Sequence, residues 1–320
     1  MPEISLIDLM SKAFIYTVSI LTIPVYILFL AMMFRYRKTD TFKSTFYTIL
    51  RFVGVVDIIG TINTFVALYI LTDFWFIFPR RMYIEYDYIF TRILYYIVRW
   101  TSHCSAWLVV VMSINRYTAI MRPINHKQFW AKHWAKFVAV CFIVPAVVWS
   151  PTLAVTYSFA LPGRILNETG TRPYPVNASV QRHYHYVNEL VLVTLLEGIL
   201  GLIPALIISA IYCTILWRTI KEPSSASGVQ WRFTLLGLIL GLPLVILAAA
   251  FVVYIVVYPM IPRDTIKMLL GIILTIFTCQ NPYVVTLLSA SVRRKWLLFF
   301  GVKPNQVGPV SAVTGGTTKR

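Results

Sequence analysis

A charged side chain in hydrocarbon costs a few kcal/mol on insertion scales, so ionisable residues set in long apolar runs are the first place to look for function. The chain has six such residues of note: Asp57, then Arg92, Arg99 and His103, then Glu189 and Glu197. Arg92, Tyr96, Arg99 and His103 follow an i, i+4, i+7, i+11 spacing, which on a helix puts them on one face. A basic, aromatic-lined stripe of that kind suits a ligand pocket. If Arg99 is free to meet a ligand, its guanidinium favours a carboxylate, which it pairs bidentately. The alternative is structural. Arg99 and Glu197 both fall roughly 15 Å from the outer ends of their apolar runs, so they could pair and hold two helices together while Arg92 snorkels to the interface. Asp57 sits in the middle of its own run, within reach of hydrogen bonds from Thr275, Thr278, Gln280 and Asn281 or of a hydrated cation.

No enzyme constellation accompanies these groups. There is no His-Glu-x-x-His pair, no Gly-rich phosphate loop and no carboxylate dyad, so neither catalysis, a metal nor a cofactor is expected.

What must position the six residues is a membrane bundle. With 58% hydrophobic and 13% charged residues and a mean hydropathy of +0.72, the chain carries about half the charged fraction of a soluble domain, roughly 25%. The net charge of +17 does not point to nucleic acid, because the basic residues lie in short clusters between apolar runs. A bilayer core needs about 20 helical residues per crossing. Seven segments meet that demand: Ala13–Phe34, Phe46–Leu71, Ile89–Ile120, Trp134–Tyr157, Val187–Trp217, Trp231–Tyr258 and Thr265–Leu288. The fold expected is an all-α membrane protein, a seven-transmembrane-helix bundle in one unit over residues 1–300, with a short cytosolic tail over 301–320. The first run exceeds a signal-peptide core and no small-residue cleavage site follows it, so it reads as an uncleaved span. The cysteines, Cys104, Cys141, Cys213 and Cys279, all lie inside apolar stretches, with neither metal spacing nor a disulfide framework.

Orientation rests on two independent signals. An extracellular N-terminus puts 18 of the 29 Lys and Arg on the cytosolic side, in Arg35–Ser44, Arg116–Lys136, Arg218–Arg232 and from Arg293 onward. The positive-inside rule expects that asymmetry. The same topology places both glycosylation sequons, at Asn167 and Asn177, in the outer loop between spans four and five.

Three prolines mark places where spans can bend: Pro204 in span five, Pro243 in span six and Pro282, after Asn281, in span seven. Beyond span seven, residues 291–300 run from a basic cluster, Arg293, Arg294 and Lys295, to an apolar one, Trp296, Phe299 and Phe300. That order fits a short amphipathic helix on the inner leaflet.

Asn115-Arg116-Tyr117 at the inner end of span three, Asp57, Pro243 and Asn281-Pro282 together resemble a divergent rhodopsin-like receptor, over almost the whole chain. Within that group the run from Ser113 to Trp130, with Asn115, Arg116, Pro123, His126 and Trp130, is similar to nematode serpentine chemoreceptors of class gamma and class V. The resemblance implies a receptor for a small odorant or pheromone, at the plasma membrane of sensory neurons or their cilia, coupled to a heterotrimeric G protein. By position Arg116 would meet that G protein, and the loop from Pro123 to Trp130 would form part of the coupling surface. The chain departs from the pattern in several places. Asn115 stands where an acid usually restrains the arginine, and Val285 stands where a span-seven tyrosine is usual, with Tyr283 two residues early. Span one lacks the usual asparagine, and no cysteine is placed for the common extracellular disulfide. Two alternatives belong to other classes: a carrier or channel, which needs a continuous polar path across the bilayer, and a receptor-like protein that does not signal.

Overall fold

The computed structural model describes residues 6–39, 42–65, 89–154, 179–221, 227–257 and 263–302. Among them the chain is helical throughout, without strands. The helices are α1 (Leu6–Arg35), α2 (Thr45–Thr64), α3 (Ile89–Met121), α4 (Pro123–Trp149), the short α5 (Pro151–Ala154), α6 (Ser179–Lys221), α7 (Ser227–Val257), α8 (Arg263–Cys279), α9 (Asn281–Leu288) and α10 (Ala290–Phe299).

Five of these, α1, α2, α3, α4 (continued by α5) and α6, contain a segment long and apolar enough to cross a bilayer, and α8 with α9 makes a sixth crossing with a 44° bend at its break. The remaining crossing is α7, whose 31 residues include the apolar stretch Gly237–Ala250. The seven-helix bundle read from the sequence is therefore the architecture. Helix α3 is its centre: 72% of its apolar window is buried, against 28% for those of α4 and α6. Lipid is as apolar as leucine, so the outward faces of the other helices stay hydrophobic, as Val147 and Leu206 do.

Local chemistry sets the breaks. Pro123 opens α4 at its first turn, where its missing N–H costs nothing. The segment from Pro123 to Trp130, expected as a loop, is thus the start of a helix, and Arg122 is the one residue between α3 and α4. Pro282 likewise opens α9 and accounts for the bend after Gln280. Pro204 and Pro243 lie buried inside continuous helices. Ser289 caps α10, accepting a bond from the Val292 backbone N–H, and Gly301 ends it at φ 78°, a left-handed conformation that glycine adopts without strain.

Spans five and six meet through glycine. A Cβ at Gly241 would stand 2.7 Å from Ile208 Cγ2, and one at Gly237 would fall inside the Tyr212 hydroxyl. The Gly237-x-x-x-Gly241 spacing lets the two backbones approach where any side chain would hold them apart.

Candidate ligand and coupling sites

The middle of the bundle is organised by Asp57. Its carboxylate, 1% exposed, accepts from the Tyr26 hydroxyl at 2.6 Å, from Ser105 Oγ at 2.5 Å and from the Asn281 amide. Four spans, one, two, three and seven, thereby converge on one side chain. Of the span-seven groups expected near Asp57, Asn281 alone among them bonds to it. Gln280 donates instead to the Leu240 carbonyl in span six, and Thr275 and Thr278 bond back to their own helix. Tyr26 and Ser105 are partners that the sequence reading missed. The available signal was generic: a tyrosine buried in an apolar span needs a partner for its hydroxyl.

At the inner end of span three, the Arg116 guanidinium lies 3.5 Å from the centroid of the Phe46 ring. Tyr47, next along α2, contacts Ser289 Oγ at 3.1 Å where span seven hands over to α10. Tyr212 of span five approaches Ser113 at 3.4 Å, one helical turn before Arg116. Asn115 is 2% exposed and its Nδ2 has no hydrogen-bond partner among the described residues, while Tyr117 is half-buried against the core.

The start of α4 is locked to this end of span three through Thr118. Trp130 Nε1 donates to Thr118 Oγ1 at 2.8 Å, and His126 Nδ1 meets the same oxygen at 3.0 Å. Trp130 is 1% exposed and so stands behind the inner surface, whereas Pro123 is exposed on it. Tyr283 turns away from the bundle centre. It is 40% exposed and its hydroxyl meets Thr22 of span one at 3.1 Å, while Val285 is fully buried.

In the outer half, the stripe on span three faces span four. The Tyr96 hydroxyl donates to the Ala146 carbonyl at 3.3 Å, Arg99 lies 5.2 Å over the Trp149 ring, and His103 stacks on that ring at 5.2 Å and 23°. Trp100 adds a bond to the Phe142 carbonyl at 3.0 Å. Arg99 and His103 are each 8% exposed. Beside them is a narrow crevice of about 20 Å³, lined by His103, Trp107, Pro145, Val148, Trp149 and Leu200. The side chains of Arg92, Glu189 and Glu197, and with them the Arg99–Glu197 pair, lie outside the described residues, as do Asn167 and Asn177.

All four cysteines are free, in keeping with their placement in apolar runs. After span seven, α10 packs Val292 fully inside and sets Trp296 6.2 Å from Phe29, leaving Arg293 and Arg294 exposed.

The family model described as "Serpentine type 7TM GPCR chemoreceptor Srv" matches residues 15–301. The chain is also similar to a Caenorhabditis elegans protein named "Serpentine receptor class V-1", with 22% identity over 144 residues, which is 44% of this chain and 45% of that protein's length. That match spans less than half of the relative. The family model takes in all seven crossings together with α10, so the chain is a multi-pass membrane protein that belongs to the Srv family of serpentine chemoreceptors.

Proposed function

We propose that the chain is a chemosensory receptor of the plasma membrane, in sensory neurons or their cilia, which binds a small odorant or pheromone in its outer half and activates a heterotrimeric G protein. One observation carries this reading. Asp57 joins side chains of four spans through Tyr26, Ser105 and Asn281, and Arg116 rests on the Phe46 ring of α2, an arrangement suited to relaying a helix shift. A carrier would need those groups along a transport path.

In this reading the ligand meets the face of Tyr96, Arg99 and His103, with Arg92, Glu189 and Glu197 as its further candidates. Binding there shifts span three against span four. The G protein meets Arg116, Tyr117 and the exposed start of α4 at Pro123, while Asn115, His126 and Trp130 hold that surface in shape from behind. Pro204, Pro243 and the Asn281-Pro282 break supply the places where spans five, six and seven bend. Asn167 and Asn177 carry glycans outside.

The test is a ligand screen in cells that express the chain with a promiscuous G protein and a calcium reporter. A response in wild type that Arg116→Ala abolishes at equal surface level supports the reading. Solute flux or current that scales with expression in the absence of G protein would replace it with a carrier or channel. The non-signalling alternative draws on Tyr283, which is bonded to span one rather than facing the bundle, and it predicts neither response.

A further inference from the structure

Basic residues scattered over an inner face attract anionic lipid without forming a site. At one seam they are not scattered. Arg35 ends α1, and Arg37 and Lys38 follow in the turn beyond it. Helix α10 packs alongside with Arg293, Arg294 and Lys295.

Two cations cross the seam in opposite directions. Arg35 of α1 lies 5.9 Å over the Phe299 ring of α10, and Lys295 of α10 lies 4.9 Å over the Tyr36 ring. Each tether holds a long side chain in place, so less rotamer entropy is lost when an anion binds. Trp296 against Phe29 anchors the same two helices beneath them.

The charge on this seam is crowded. Arg51 of α2, bonded to Tyr47 and Thr48 of its own helix, lies over the Phe34 ring of α1 at 5.8 Å and adds a further cation beside the seam. Among the described side chains the one carboxylate is Asp57, already taken by three donors in the bundle centre. Leu297 on the same short helix and Phe300 just past its end, 38% and 53% exposed, present apolar surface. A helix with that composition rests at the boundary between headgroups and acyl chains, so the cations lie at headgroup depth. A compact ligand with several negative charges, delivered from the bilayer, satisfies all of these features.

We infer that the seam between the inner end of span one and α10 binds the phosphorylated headgroup of a phosphoinositide in the inner leaflet, with Arg35 and Lys295 as its preset contacts. This site is separate from the ligand and coupling surfaces and does not depend on signalling.

The test is native mass spectrometry on the purified full-length chain with added phosphatidylinositol bisphosphate, or with phosphatidylserine at matched total charge. Wild type should retain the bisphosphate lipid roughly thirtyfold better, a preference of the size that two oriented basic residues give. The double variant Arg35→Gln/Lys295→Gln should lose that preference. The charge-preserving pair Arg35→Lys/Lys295→Arg should keep most of it, which separates lost charge from lost fold. Lys132→Gln/Lys136→Gln, removing the same charge from exposed positions on α4, should leave the preference intact. Equal retention of both lipids by wild type, or equal losses in the two glutamine variants, would overturn the site in favour of general inner-face charge. Displacement of the lipid by an equal concentration of soluble inositol trisphosphate would overturn its membrane source.

Discussion

The middle and inner parts of the bundle differ from the outer stripe in how their polar groups are used. Around Asp57 three donors from three other spans meet one carboxylate, and at the inner end Arg116, Phe46, Tyr47 and Ser289 form a chain of contacts from span three to α10. In the outer stripe the contacts seen among the described residues run to span four. Tyr96, Arg99 and His103 all rest on span four, two of them on the one ring of Trp149. A node that ties four helices couples their movements, whereas the stripe's contacts with span four can be remodelled by a small ligand. The proposed function accordingly assigns recognition to the outer half and transmission to the inner one.

The sharpest way to break that contrast is Asp57→Ala. It strands three buried polar side chains at once and should cost about 3 kcal/mol, lowering the melting temperature of the purified protein by roughly 5 °C or more. Asp57→Asn, which keeps the shape and one acceptor, should cost about half as much. A pair of glycine substitutions comes next. Gly237→Ala drives a methyl group into Tyr212 and should destabilise by about 1–3 kcal/mol. Gly201→Ala, with nothing within 4 Å of the new atom, should stabilise by up to about 1 kcal/mol. Trp130→Phe removes one buried hydrogen bond to Thr118. Its expected cost is about 1 kcal/mol in thermal melts, with signalling reduced rather than lost. The smallest effect on stability belongs to the outer stripe. Arg99→Lys keeps a cation near Trp149 and should change the melting temperature little, yet weaken an acidic agonist by about tenfold, because lysine lacks the bidentate fork. Unchanged potency in that variant and in Arg99→Ala would remove the carboxylate from the proposal.

Much of the fold was legible because the bilayer demands it: long apolar runs, charge asymmetry and proline breaks are properties of the sequence itself. The seven crossings, the bend at Pro282 and the short amphipathic helix were read this way. Lateral partners were harder. Periodicity put Tyr96, Arg99 and His103 on one face but could not say which neighbour that face meets, and span four supplied the answer through Trp149. Asp57 was singled out, but two of its three donors, Tyr26 and Ser105, sit in runs that show nothing unusual in sequence. The Gly237-x-x-x-Gly241 contact went unread because glycine is common in membrane helices and its role appears only when Tyr212 is seen against it. The start of α4 reads as a loop in sequence because its first turns are polar, although Pro123 is a sound helix opener.

The most direct measurement is guanine-nucleotide exchange on a purified heterotrimeric G protein, with the full-length chain reconstituted in lipid and a ligand drawn from the cell screen. The account predicts ligand-dependent exchange by wild type and exchange at background for Arg116→Ala, with both proteins melting at the same temperature. Full exchange by a folded Arg116→Ala variant would contradict the coupling role assigned to the inner end of span three.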